Sequence, residues 1–310
     1  MVLAMLPLPV GEAFAKSLTS TLDPLVVTMR RLAAQALCLA PVAVILRRRL
    51  RGAMFSPLLM LSGGLVAVTL LTLITAFSVM PIATAIAIFF VEPLILTLLA
   101  APLLGEAVGP RRLAAVGVGL LGGPIVIRPG VSDFGWAALL PLVAALAYTL
   151  NMIVVRVACR TRSGLTVQCG ATAYAFCAVA VPALRLDGVG LVDLAPAAMP
   201  LRAWGAVLGA GAFAAASFVL IAEAFRRTEA GLPAPFQYLE IVGVTAAVFL
   251  VFGDMPDALT WLGIAIILAS GVYVFRREPA RDASPTRRPP ARRGRGPGSL
   301  RRFAPGAGCS

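Results

Sequence analysis

Two glutamates, Glu92 and Glu240, interrupt long runs of apolar residues, and prolines stand close to both of them. A carboxylate inside a membrane span costs about 2.5–3.5 kcal/mol on insertion scales and normally faces a cavity or a partner. Pro93, Pro233 and Pro235 each remove a backbone donor and leave a carbonyl oxygen available in their helices. The sequence therefore predicts that both carboxylates line a central cavity, where they bind a substrate or carry a coupling proton. The alternative is a structural hydrogen bond between helices.

Side chains that stack and form hydrogen bonds accompany these carboxylates. Gln237 and Tyr238 precede Glu240, and Tyr148 and Asn151 are spaced to lie one turn apart on a helix. Such groups offer aromatic faces and amide groups to a flat polar ligand, although each taken singly also fits an ordinary contact between helices. The predicted substrate-binding residues are Glu92, Glu240, Tyr238, Gln237, Phe89, Tyr148 and Asn151.

A second group of charged residues lies near the start of the chain. Glu12 and Lys16 are spaced i,i+4, so they share a helix face and can pair. Arg30 and Arg31 enter the second apolar segment from the same side. We predict a charged cluster at the outer mouth of the cavity, with Glu12, Lys16 and Arg30 as gating or coupling residues. Snorkelling of long side chains at a helix end is the alternative.

The composition identifies lipid as the solvent of these apolar segments. Of the 310 residues, 59% are hydrophobic and 13% are charged, whereas about a quarter of a soluble domain is charged. A helix needs roughly 20 apolar residues to cross a bilayer. We predict an all-α integral membrane fold of ten transmembrane helices, over residues 1–17, 25–46, 57–77, 81–104, 112–128, 134–155, 165–185, 202–225, 229–252 and 257–275. We interpret 1–17 as a short first helix and not a signal peptide, because its cations follow the apolar part.

The two halves of the chain repeat each other. At a constant shift, Glu92 aligns with Glu240, and Gly105-Glu106 aligns with Gly253-Asp254. Because the shift covers five helices, an odd number, the two halves must have opposite orientations in the membrane. Inverted repeats are typical of secondary transporters, which bind their substrate near the midplane. We predict a first five-helix repeat over residues 1–130 and a second over 131–277.

Arginines indicate the orientation of the chain. They concentrate in loops on one side of the predicted spans, for example at Arg47, Arg111 and Arg160, and the positive-inside rule places that side in the cytoplasm. Both termini then lie in the cytoplasm. Residues 278–310 are rich in Arg, Pro and Gly. They are predicted to form a disordered basic tail with an attraction to anionic lipid headgroups.

The sequence lacks the motifs of several functional classes. It has no His, no CxxC pair and no GxxxxGK loop, which argues against a metal site and an ATP-driven motor. The absence of a GxSxG elbow also argues against a membrane enzyme acting on lipid. We expect no catalytic residues and no cofactor. The net charge of +13 lies in short loops and in the tail, so no nucleic-acid partner is expected.

Four runs of residues carry a resemblance to a known family. The run APFQYLEIVG at 234–243, with FGDMPD at 252–257 and SGVYVFRRE at 270–278, resembles the EamA-type permeases of the drug/metabolite transporter superfamily. The run FFVEPLILTLLAAPLLGE at 89–106 resembles the matching part of their first repeat. The resemblance covers most of the chain, and it implies ten helices around a central cavity in the bacterial inner membrane.

The resemblance also implies a function. The sequence is most similar to permeases for S-adenosylmethionine or riboflavin uptake, so we expect a permease for a small polar metabolite of this kind or an amino-acid-like compound. Glu12 is similar to the first-helix acid of small multidrug-resistance proteins, where a carboxylate exchanges protons for cations. A multidrug or cation exporter of the same fold remains an alternative, as does a membrane scaffold or sensor that does not transport. A homodimer is left open.

Overall fold

The computed structural model describes residues 7–104, 135–194 and 200–227, with isolated positions between 114 and 118 and between 261 and 269. The chain contains helices and no β-strand within these residues. In chain order the α-helices are α1 (Leu8–Leu18), α2 (Pro24–Ile45), α3 (Pro57–Val79), α4 (Ile82–Phe89), α5 (Glu92–Leu104), α6 (Leu140–Cys159), α7 (Gly164–Gly188) and α8 (Leu201–Arg227). Short 3-10 segments cover Arg47–Arg49 and Gly135–Leu139.

Five of the predicted spans correspond to long apolar helices. The segments Pro24–Ile45, Pro57–Val79, Gly135–Cys159, Gly164–Gly188 and Leu201–Glu223 are each long and apolar enough to cross a membrane. Their bounds agree closely with those predicted from the sequence, and this part of the prediction is confirmed. The spans predicted over 112–128, 229–252 and 257–275, and the tail from 278, lie outside the described residues apart from the isolated positions.

The segment 81–104, predicted as one span, consists of two helices. α4 ends at Phe89, and α5 begins at Glu92 after a two-residue turn. The physical cause is Pro93, which has no N–H to donate to the carbonyl of Phe89 four residues earlier. In place of the missing bond, the turn is closed by a bond across three residues, in which the Val91 amide donates to the Ile88 carbonyl over 3.2 Å. The break places Glu92 at the first residue of a helix.

The starts of three helices follow from local sequence. Asp23 and Ser56 precede prolines, and their side chains accept hydrogen bonds from the amides of Leu25 and Leu59. Ser163 caps α7 in the same way. A polar N-cap satisfies an amide that has no partner within the helix, and proline suits the first helical position. These signals fix where α2, α3 and α7 begin.

Small residues allow the helices to pack closely. α3 contacts α6 and α7, while α8 contacts α1 and α2. A Cβ added at Gly211 of α8 would lie 2.6 Å from the amide nitrogen of Gln35 on α2. Close backbone approach of this kind is typical of membrane helices, where lipid gives no hydrophobic drive for association. Large apolar side chains such as Leu37, Val44 and Val181 are exposed on the outside of the bundle, as expected for surfaces that face lipid.

Two neighbouring glycines on α3 test this close packing. A Cβ at Gly63 would lie 2.8 Å from both the Ala171 carbonyl oxygen and the Ala175 amide nitrogen, whereas one at Gly64 would meet nothing within 4 Å. We expect Gly63→Ala to lower the stability of the purified protein by about 1–3 kcal/mol, because overpacking costs that much. Gly64→Ala should leave it unchanged or raise it, since alanine favours helix by about 1 kcal/mol. Thermal melts in detergent check this, and equal melting temperatures would contradict the packing of α3 on α7.

Candidate functional site

A cavity lies between α1, α3, α4, α6, α7 and α8. Its lining combines polar groups from four of these helices with apolar and aromatic groups from all six. Among the described residues, the polar and aromatic lining side chains are Glu12, Ser62, Thr69, Phe89, Tyr148, Asn151, Gln168 and Phe218. A largely apolar cavity with a few convergent polar groups is the usual form of a small-molecule site.

Three aromatic rings form one wall of the cavity. The ring centroids of Phe89 on α4 and Tyr148 on α6 are 5.5 Å apart, and those of Tyr148 and Phe218 on α8 are 6.4 Å apart. Both pairs are tilted, within the range of distances that aromatic pairs prefer. The wall offers faces on which a flat ligand stacks.

Two side-chain amides give the cavity a donor and an acceptor. The Ser62 hydroxyl donates to the Asn151 Oδ1 over 2.6 Å, which orients the Asn151 amide nitrogen away from that bond. The Gln168 Nε2 donates to the Thr172 hydroxyl, which also accepts from Gln35. The Gln168 carbonyl oxygen is therefore left as an acceptor on a side chain that lines the cavity. Together the amides suit a ligand edge that carries both a donor and an acceptor.

An ion pair supplies the charge at the cavity. Arg31 on α2 donates to both carboxylate oxygens of Glu12 on α1, over 2.7 and 3.2 Å. The side chains are 1% and 6% exposed, and Glu12 lines the cavity while Arg31 lies behind it. A bidentate arginine–carboxylate pair is among the strongest side-chain contacts. The i,i+4 spacing pointed to Lys16 as a partner, and the ion pair that the structure shows is with Arg31.

Glu92 lies close to the cavity but is not one of its lining side chains in the described part of the chain. It is 2% exposed, at the first residue of α5. The Thr149 hydroxyl of α6 donates to its main-chain carbonyl over 3.3 Å. A carboxylate at this position is favoured by the positive end of the helix dipole. The structure thus places Glu92 beside the aromatic wall, three residues beyond Phe89.

Lys16 and Arg30 form contacts at one end of the bundle. The distribution of arginines predicts that this end faces away from the cytoplasm. The Lys16 ammonium donates to the main-chain carbonyls of Phe77 and Met80, where α3 ends. Arg30 donates to the Leu194 carbonyl over 2.6 Å, and its guanidinium lies 5.4 Å from the ring centroid of Trp204. Arg30 therefore ties α2 to the connection between α7 and α8.

The structure brings four of the predicted residues together in the cavity, namely Glu12, Phe89, Tyr148 and Asn151. Gln237, Tyr238 and Glu240 lie outside the described residues. Five side chains of the site are absent from the predicted set: Ser62, Thr69, Gln168 and Phe218, which line the cavity, and Arg31, which pairs with Glu12. The one local signal for Arg31, a charged side chain near the start of an apolar segment, is shared by Arg30.

Comparison with known proteins places relatives of this chain among transporters. The model of the EamA-like transporter family matches residues 135–276. A riboflavin transporter of Rhizobium johnstonii is 31% identical over 213 residues, which cover 68% of this chain and 68% of that protein. An S-adenosylmethionine uptake transporter of Rickettsia prowazekii is 26% identical over 203 residues, which cover 65% of each chain. The chain thus spans about two thirds of these relatives.

A solved crystal structure shares the fold. It superposes with a TM-score of 0.64, covering 89% of this chain and 96% of the solved one at 18% identity. At that identity the likeness concerns the fold alone.

Proposed function

The chain belongs to the EamA-like transporter family, and on that premise we propose that it is a secondary permease for a small polar metabolite. The observation that carries the proposal is the cavity itself. Stacking faces, two amides and a carboxylate converge on it from helices that lie far apart in the sequence. The five apolar spans and the bacterial relatives support a multi-pass protein of the inner membrane.

The chemistry of the cavity matches a flat compound with hydrogen-bonding edges. Phe89, Tyr148 and Phe218 supply stacking faces, and Asn151 and Gln168 supply amide groups. The substrate in this proposal is S-adenosylmethionine, riboflavin or an amino-acid-like compound. Relatives named for the first two compounds support this range.

The proposed architecture is ten helices in two inverted five-helix repeats, over 1–130 and 131–277, with a basic tail over 278–310. The match of the family model to 135–276 supports the second boundary, and the aligned Glu92 and Glu240 support the repeat. Alternating access then arises when one repeat rocks against the other around the cavity. Both termini lie in the cytoplasm in this proposal.

Contacts at the two ends of the bundle provide gates for such a motion. At the outer end, Arg30 connects the first repeat to Leu194 and Trp204 of the second. At the cytoplasmic end, the Arg162 guanidinium of the second repeat donates to the Ala53 carbonyl of the first over 3.0 Å. In an alternating-access cycle each end has to separate in turn.

A cation exporter remains the second candidate, because three aromatic rings and a carboxylate at one cavity are features that bind cations. Resistance to many unrelated cations in a host expressing the protein would favour the exporter. Uptake of one metabolite would favour the permease.

A thermal-shift panel of purified protein tests the cavity as the substrate site. The panel holds riboflavin, S-adenosylmethionine, amino acids, nucleosides and quaternary cations. A true ligand at a hundredfold over its dissociation constant raises stability by about 2.7 kcal/mol. We expect Asn151→Leu to weaken that ligand about tenfold, since a buried polar partner is lost. Leu146→Ala is the control on the same helix, because Leu146 is exposed on the outside of the bundle and does not line the cavity. Equal weakening by both variants would contradict the assignment.

The two mid-span glutamates are tested by transport. We expect Glu92→Gln and Glu240→Gln each to reduce metabolite uptake into proteoliposomes about tenfold or more, because a charge that binds substrate or carries a proton is lost. Glu106→Gln and Asp254→Asn provide controls, since these acids follow glycines at predicted helix ends. Normal uptake by both glutamate variants would remove them from the proposed mechanism.

The outer gate is tested by access to the cavity. A single cysteine at Thr69, in a background without native cysteines, reports entry of a membrane-impermeant maleimide. We expect Arg30→Gln to raise the labelling rate from outside by about tenfold, since a hydrogen bond to a charged group and a cation–π contact are lost. Arg202→Gln is the control, because Arg202 is an exposed arginine at the start of α8, two residues before Trp204. Identical rates for wild type and Arg30→Gln would exclude a gating role for Arg30.

A further inference from the structure

The carboxylate of the cavity carries its own counter-ion. Glu12 lines the cavity, and the guanidinium of Arg31, a buried residue that does not line the cavity, donates to both carboxylate oxygens, over 2.7 and 3.2 Å. Among the described residues, Glu12 is the one acidic side chain that forms an ion pair with Arg31. The pair is therefore neutral as a unit.

The aromatic rings of the cavity lining suit a cation. The faces of Phe89, Tyr148 and Phe218 attract positive charge through their ring quadrupoles, and a bare carboxylate in a poorly solvated cavity would attract it more strongly. Arg31 opposes both effects. A positive ligand beside Glu12 meets an attraction from the carboxylate and a repulsion from a guanidinium 2.7 Å behind it, so little net attraction remains.

The packing leaves Arg31 little freedom to withdraw. Its side chain is 1% exposed, and α8 approaches α2 closely where Gly211 lies against Ala34 and Gln35. Gln35, one turn along α2 from Arg31, is fully buried and bonded to Thr172 on α7. The guanidinium is thus a fixed part of the wall behind Glu12.

We propose that Arg31 sets the charge selectivity of the cavity by compensating Glu12, so that the site accepts flat heteroaromatic ligands without net positive charge and excludes lipophilic cations. This inference rests on the proposed function and narrows its substrate class to neutral flat compounds of the riboflavin kind, so that S-adenosylmethionine, whose sulfonium group gives it a net positive charge, is not expected as a substrate. Arg31 acts through Glu12 and is a positioning residue, not a ligand of the substrate.

A gain of cation binding tests the inference. Tetraphenylphosphonium is titrated onto the purified full-length protein. We expect weak binding to wild type, and binding about tenfold tighter or more to Arg31→Gln, in which the Glu12 charge is uncompensated. The double variant Glu12→Gln/Arg31→Gln should lose the gain, and Arg31→Lys, which keeps the charge, should behave as wild type does.

A second variant covers the case in which Arg31→Gln does not fold, since breaking a buried pair is strongly destabilising. Gln168→Glu adds a carboxylate to the same cavity and leaves the ion pair intact. It should also gain tetraphenylphosphonium binding, whereas tetraphenylborate, an anion of the same shape, should not bind more tightly.

The outcomes separate this inference from the permease proposal. Tight binding of tetraphenylphosphonium by the wild type, or no gain of that binding in Gln168→Glu, would overturn the role of Arg31. Neither result would contradict metabolite uptake by the protein. A gain of tetraphenylphosphonium binding in both variants would support the role of Arg31, even if no metabolite raised the melting temperature of the wild type. The absence of a metabolite effect would count against the permease proposal alone.

Discussion

Lipid offers the helices neither hydrogen-bond partners nor counter-ions, so a polar side chain inside this bundle needs a partner within the protein, and several of these pairs join different helices. Glu12 of α1 pairs with Arg31 of α2, and Ser62 of α3 donates to Asn151 of α6. Gln35 of α2 reaches Thr172 of α7. These contacts tie five helices together. Small residues allow the close backbone approach that such short polar side chains need.

The same contacts determine what the cavity offers to a ligand. Asn151 uses its carbonyl oxygen on Ser62 of α3, Gln168 uses its amide nitrogen on Thr172 of its own helix, and each leaves its remaining hydrogen-bonding capacity for the cavity. The aromatic wall from α4, α6 and α8 supplies uncharged surface for stacking. With the Glu12 carboxylate paired to Arg31, a site built in this way suits a neutral ligand that is recognised by its shape and hydrogen-bond pattern. This agrees with a permease for a defined metabolite better than with an exporter of diverse cations.

Helices and their bounds were predictable because length, apolar runs and cap residues are local properties. Ser56-Pro57 and Asp23-Pro24, for example, mark helix starts in the sequence and in the structure. Pro93 indicates a break in the helix before Glu92, but the sequence does not show that the break lies at residues 90–91. The sequence does not indicate which side chains form hydrogen bonds between helices, because the partners are far apart along the chain. Ser62 and Asn151 are 89 positions apart, and Gln35 and Thr172 are 137 apart. Nothing local indicates which of two neighbouring arginines turns inward, so Arg30 was chosen for the predicted site and Arg31 was not.

Counterflow tests the central claim, alternating access to one metabolite site, most directly. Proteoliposomes are loaded with unlabelled riboflavin, S-adenosylmethionine or amino acid and diluted into a trace of the same labelled compound. A permease exchanges the two pools, so labelled compound should accumulate transiently above its equilibrium level for at least one of them. Accumulation no greater than that of protein-free liposomes, for every compound, would contradict the account.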